Sequence, residues 1–203
     1  MRTLLAIIIV TVLMTAGCVA PETVAELGGD RTLESTVPER LSFVAPTLDR
    51  DVDNGSVHDL RSSFDGPVLM LWVAAGCSGC HDWTETIRGE LEAGNLSNST
   101  NIVSVHRYAE FESVYNVAER YGSNESNTYT PWPVLVPDER TTVINASSGR
   151  MTNVSIYEAF ERPVTPTLQV LDAEGRLVWT SKTYWADTDV LAEALTVMIN
   201  GTV

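Results

Sequence analysis

Lysine is nearly absent from this chain: Lys182 stands alone among 203 residues, and 13 basic residues face 27 acidic ones. The formal net charge of -14 excludes a nucleic-acid partner, because phosphate binding requires clustered Lys and Arg. Cysteine is scarce too. Cys18, Cys77 and Cys80 are the only three, and without a second closely spaced pair there is no ligand set for a closed structural zinc site. Low-complexity tracts are lacking, and 44% hydrophobic content over this length suffices for one buried core.

What is present starts with a targeting segment. Arg2 supplies a minimal positive charge, Leu4 to Met14 is apolar, and Thr15-Ala16-Gly17-Cys18 closes the run with small residues. This resembles a lipoprotein signal, which implies cleavage before Cys18, lipidation of its sulfur and export by the general secretory route. An uncleaved anchor is the alternative, since Leu4 to Ala20 is close to the shortest span that crosses a bilayer. Both leave the remaining chain outside the cell, anchored at its N-terminus. The domain expectation is a signal at 1–17, a Pro- and Gly-containing tether at 18–40 and one globular domain at 41–203. Abundant acid with charge balanced almost wholly by Arg fits a salt-adapted microbe; an ordinary acidic secreted protein is the other reading.

The organising stretch is Val68 to Trp83. Val68 to Ala75 is an unbroken apolar run with the composition of a strand buried on both faces. Gly76 breaks it, and Trp83, Ile87 and Leu91 then recur at helical spacing. Cys77 and Cys80 therefore sit where a central strand turns into a helix. Unpaired N–H groups and the positive end of the helix dipole stabilise a thiolate there. Thiolate is the nucleophile of disulfide exchange, so Cys77 is assigned attack and Cys80 resolution of the mixed disulfide.

Elsewhere, Leu41 to Leu48 reads as extended, Asp53-Asn54-Gly55-Ser56 as a turn and Val57 to Phe64 as a short helical turn. Ile102 to Tyr108 reads as a strand, Val114 to Tyr121 as a helix ending at Gly122, and Pro133 to Pro137 as an edge element. Tyr157 to Arg162 is a helical turn. Thr167 to Leu171 and Leu177 to Thr183 form a hairpin, and a last helix from Asp189 to Asn200 buries Leu191, Leu195, Met198 and Ile199. The sum is an α/β domain with a central mixed sheet flanked by helices.

The order of Ala45-Pro46, Asn54-Gly55, Cys77-Ser78-Gly79-Cys80 and Val164-Thr165-Pro166-Thr167 before a hairpin resembles thioredoxin-fold proteins of the TlpA/ResA type, over roughly Leu41 to Val203. That resemblance implies a membrane-tethered extracytoplasmic thiol-disulfide oxidoreductase. It implies disulfide-containing protein substrates, a membrane thiol donor or acceptor as redox partner, and no cofactor. It also implies that Pro166 is a cis proline facing the dithiol and that Thr165 offers backbone groups to a substrate strand. Three positions depart from the family pattern. Gly76 replaces a Trp and leaves that flank open, Gly79 replaces a Pro and loosens the helix start, and Leu71 replaces a buried Asp.

Cys77 to His81 also matches the c-type haem attachment signature, with His81 as iron ligand, and a metal site from Cys77, Cys80 and His81 is a further alternative. A static disulfide in a non-catalytic binding module is another. In the exchange reading His81 modulates the Cys77 thiolate, while His58 and His106 are plain surface or strand residues. Trp72 and Trp83 pack the core around the dithiol; Tyr184 and Trp185 line either the substrate groove or the core. Seven of ten asparagines, Asn54, Asn95, Asn98, Asn124, Asn145, Asn153 and Asn200, head Asn-X-Ser/Thr triplets, where chance gives about two. The excess points to an exported, N-glycosylated surface with those segments in loops.

Overall fold

The computed structural model describes Leu33 and residues 35–201, so Cys18 and the whole targeting segment lie outside the described residues. Short strands β1 (Leu41–Ser42), β2 (Val44–Pro46) and β3 (Val57–Asp59) precede the long strand β4 (Val68–Val73). Helix α1 (Ser78–Glu92) and strand β5 (Ile102–His106) follow. Next come α2 (Val114–Val117), continued by a π-helical turn at Ala118–Gly122, then β6 (Val134–Leu135), β7 (Thr142–Asn145), β8 (Arg150–Ser155) and α3 (Ile156–Ala159). Strands β9 (Thr167–Leu171) and β10 (Leu177–Ser181) and helix α4 (Thr188–Asn200) complete the order.

Five strands form one mixed sheet in the order β10-β9-β4-β5-β6, parallel from β4 to β6 and antiparallel from β4 to β10. All six residues of β4 are buried, which explains its uninterrupted apolar sequence. Alternation along the strand sorts its side chains between two cores. Leu69, Leu71 and Val73 pack with Trp83 and Ile87 of α1 and with Leu191, Ala194 and Val197 of α4. Met70 and Trp72 point the other way, among Phe43, Val143, Ile156 and Phe160. On that side lies a small sheet, β1-β7-β8, that the sequence reading did not anticipate.

Three expectations give way here. Val57 to Asp59 is a strand paired with β2, not a helical turn, because the Asn54-Gly55 turn folds it back on Val44 to Pro46. The buried stripe of α4 runs through Leu191, Ala194 and Val197, while Ile199 is 83% exposed. Trp72 does not pack around the dithiol: period two sends it to the opposite face, where its Nε1 donates to Gln169 Oε1 at 2.7 Å. Val134–Leu135 does take the sheet edge expected of it.

An ion pair between half-buried Arg50 and buried Asp53 ties the turn after β2 to the β6 edge. Arg50 Nη2 lies 2.6 Å from Asp53 Oδ1, Arg50 also donates to the carbonyls of Tyr121, Thr130 and Trp132, and Asp53 accepts from Val134 N–H. Among the described residues, no helix is long and apolar enough to cross a membrane.

Candidate functional site

Strand β4 ends at Val73, and four residues later Cys77 is the N-cap of α1. Cys80 N–H donates to Cys77 Sγ at 3.1 Å, so one of the unpaired donors of the helix start is turned onto this sulfur. Cys77 and Cys80 are joined in a disulfide. Their exposure differs: Cys77 retains 9%, between exposed Gly76 and Ser78, and Cys80 has none. A partner sulfur therefore meets Cys77 first. Cys80 Sγ lies 3.8 Å from the Trp72 carbonyl oxygen, an acceptor within reach of its thiol after reduction.

The link Ala74 to Gly76 is held by side chains. Tyr121 OH donates to the Ala74 carbonyl at 2.8 Å, and His81 Nε2 bonds the Ala75 carbonyl at 2.9 Å. Glu112 accepts from both neighbouring amides, Ala75 N–H at 2.6 Å on Oε2 and Gly76 N–H at 3.0 Å on Oε1. His106 Nε2 stands 3.2 Å from Glu112 Oε2. Desolvation works against the Glu112 anion, but the amides of Ala75 and Gly76 and the His106 ring outweigh it and hold its carboxyl below the usual carboxylate range. Burial dominates at His106 and lowers its pKa, despite the opposing pull of Glu112. The pair is therefore a carboxylate beside a neutral imidazole that donates to it. Burial, with the Glu112 charge adding to it, pushes the Tyr121 phenol up, so it remains a donor.

Register brings the second half of the site to the same end of the sheet. Thr167 at the start of β9 pairs with Trp72 near the end of β4, which sets the preceding loop beside the strand that leads to Cys77. In that loop the Thr165–Pro166 bond is cis, Pro166 is buried and Thr165 half-buried. Arg107, directly after β5, holds the loop: its Nε donates to the Pro163 carbonyl at 3.0 Å and its guanidinium lies 3.9 Å from the Tyr157 ring centroid. Burial, with Glu139 adding to it, pushes Tyr157 up to about 12.

The two flanks of the cysteine pair differ. On the Gly79 side a Cβ would run into the Tyr184 carbonyl oxygen. Residues 183–186 are fixed there by Trp83 Nε1 donating to Thr183 O at 2.9 Å and by Ala186 N–H donating to Asp82 Oδ2 at 2.8 Å. Gly79 thus packs tightly instead of loosening the helix start. Tyr184 and Trp185 are 46% and 60% exposed, which excludes the core role for both. On the other flank Gly76 and Glu112 border an open cleft of about 950 Å³ that reaches Leu48, Arg50 and α2.

Solved structures share this fold. The DsbF protein of MTB, in mixed oxidized and reduced forms, matches at 18% identity with a TM-score of 0.53, covering 80% of this chain and 99% of that one. The chain has the thioredoxin fold. The thioredoxin domain of a Bacteroides vulgatus thiol-disulfide oxidoreductase matches at 17% identity and a TM-score of 0.51, over 82% of this chain and 97% of that one. The exposed lipoprotein thioredoxin of Streptococcus pneumoniae does so at 20% and 0.50, over 76% and 98%. No family model and no curated protein sequence matches the chain. Within the thioredoxin fold, Cys77 and Cys80 follow the central strand, and the proline loop occupies the adjoining strand's entry.

The other anticipated residues fall as follows. His81 is half-buried, and its Nε2 bonds the Ala75 carbonyl in the link that leads to Cys77. His58 and His106 are strand residues, in β3 and β5, and both are buried instead of at the surface: His58 packs on Phe64, and His106 supports Glu112. Among the described residues no cluster of three His, Cys, Asp or Glu is placed to hold a metal ion. The asparagines of the triplets are exposed except Asn145, which is half-buried. They are not all in loops, since Asn145 ends β7, Asn153 lies within β8 and Asn200 ends α4. Glu112, Tyr121 and Arg107 were missed; each acts on a backbone group far along the chain, and nothing in local spacing marks such a role.

Proposed function

We propose that this protein is an exported, membrane-anchored thiol-disulfide oxidoreductase that reduces protein disulfides through Cys77 and Cys80. The observation that carries the reading is the disulfide at the strand-to-helix junction, with the residual exposure confined to Cys77. The Cys77 thiolate attacks one sulfur of a substrate disulfide; that S–S bond breaks, a mixed disulfide forms, and the departing substrate sulfur takes a proton. Cys80 as thiolate then attacks Cys77 Sγ and releases the second substrate thiol. Two electrons pass to the substrate, and the protein disulfide is re-reduced by a membrane dithiol donor. Thr165 and Pro166 offer backbone to the substrate strand beside the sulfurs, and the open flank at Gly76 admits it. The names of the neighbours support this: one is a thiol-disulfide oxidoreductase, another an exposed lipoprotein. Lipidated Cys18 is the anchor in this reading, the tether ends near Leu41, and the Asn triplets carry glycans.

Replacing Cys80 with Ser tests the mechanism. C80S should accumulate mixed disulfides through Cys77, and a folded C80S that traps none defeats it. The static-disulfide reading separates by redox titration: a structural disulfide has a potential below about -300 mV, an exchange site a higher one. The haem reading needs two thioethers and an iron-bound imidazole. The disulfide and the commitment of His81 Nε2 to the Ala75 carbonyl favour exchange over it, and an absorption spectrum distinguishes the two.

A further inference from the structure

The exchange reading makes Cys77 the attacking sulfur, and the residue that most directly controls the two peptide units before it is Glu112. Its two carboxylate oxygens take the consecutive N–H groups of Ala75 and Gly76, and His106 fixes the carboxylate from behind. We propose that Glu112 is a positioning residue for Cys77: it clamps the link from β4 to the helix start and holds a negative charge on the amides of the two residues before Cys77, making Cys77 a poorer thiolate than the helix start alone would. Two effects act in the same direction. The Gly76 and Ala75 amides are spent on the carboxylate and cannot turn toward the thiolate, and a like charge nearby disfavours the ionised sulfur. A thiolate held less stable keeps the dithiol a better reductant, because a stabilised reduced form is what makes such a pair oxidising. Other groups face this link. His81 from α1 and Tyr121 from the π-helical turn bond its carbonyls, and Arg50, Glu119 and Arg120 line the adjoining cleft. Glu112 alone among them binds the amides.

The test measures alkylation of Cys77 by iodoacetamide against pH in reduced C80S protein, together with the glutathione equilibrium of the Cys77–Cys80 pair. Glu112→Gln keeps the shape, removes the charge and leaves one amide facing an NH₂. It should lower the alkylation midpoint by about one pH unit. It should also shift the equilibrium about tenfold toward the dithiol, which is about 30 mV for this two-electron couple. Glu119→Gln removes the same charge from the cleft without touching the link and should shift the midpoint by less than a third as much. An E112Q midpoint within about 0.3 pH unit of the parent together with an equilibrium within about twofold of it, or an equal shift in E119Q, overturns the proposal. If E112Q does not fold, the Glu112 carboxyl carbon resonance in reduced wild-type protein decides. It should show an inflection at the Cys77 midpoint, and a flat response overturns the proposal. An unreactive Cys77 would instead defeat the exchange reading itself.

Discussion

At Gly79 a single missing Cβ decides how the helix start packs. The Tyr184 carbonyl occupies the space a side chain would need, so Gly79→Ala forces either residues 183–186 or the first turn of α1 to move. Overpacking of this kind costs about 1–3 kcal/mol, to be read as a lower urea midpoint at unchanged slope. His106 and Glu112 carry the pH dependence. Both have pKa values depressed by the fold, so in each case the unfolded chain binds protons first on acidification. Their stability contribution is complete above the ordinary His value of 6.5, falls as pH drops toward the lowered His106 value, and falls again below the ordinary Glu value of 4.5. Thermal melts should therefore decline from about pH 6.5 downward, and His106→Gln should remove the upper step. Cys77 and Cys80 were legible because spacing and composition mark a strand turning into a helix. Glu112 was not, since it reaches 36 residues back along the chain to Gly76 through an interaction no periodicity encodes.

Among the elements, those with a strong period were readable and those defined by pairing were not. Strand β4, helix α1 and the hairpin of β9 and β10 stand close to their expected limits. Strands β7 and β8 went unseen because their outer positions carry Thr, Asn and Arg, and the other partner of β7, β1, lies about a hundred residues upstream. The Arg50–Asp53 pair serves an element-level purpose, joining the turn after β2 to the β6 edge. Asp53→Ala leaves the guanidinium without its counter-charge and Val134 N–H without an acceptor. Leaving a buried donor unsatisfied costs about 1–3 kcal/mol, and the partly exposed guanidinium adds to that. Chemical denaturation should show that loss. Arg107→Ala should leave the global unfolding transition nearly in place while slowing exchange with a protein disulfide, because the Pro163 carbonyl loses its donor at the proline loop. The checks are melting temperature and single-turnover rate measured side by side.

For the whole molecule, 27 acidic against 13 basic residues leave a net charge of -14 over 203 residues. Self-repulsion of that size is screened by salt, the Debye length shrinking from about 10 Å at 0.1 M to about 3 Å at 1 M. The melting temperature should rise steadily with KCl up to molar concentrations, and a flat or falling curve would contradict the salt-adapted reading. The overall class, a mixed sheet flanked by helices, followed from strand and helix order alone. The layer that covers Met70 and Trp72 did not, because it is assembled from short strands that gain their meaning only when paired.

Residues 183–186 pack on Gly79, while Gly76 and Ser78 leave Cys77 at open surface. Under the exchange reading, an electron donor and an electron acceptor must then meet the same exposed cysteine, Cys77, in turn, and neither can engage it until the other has gone. Steady-state rates with both varied should give parallel double-reciprocal lines, the kinetic mark of a shuttle that serves its two clients alternately.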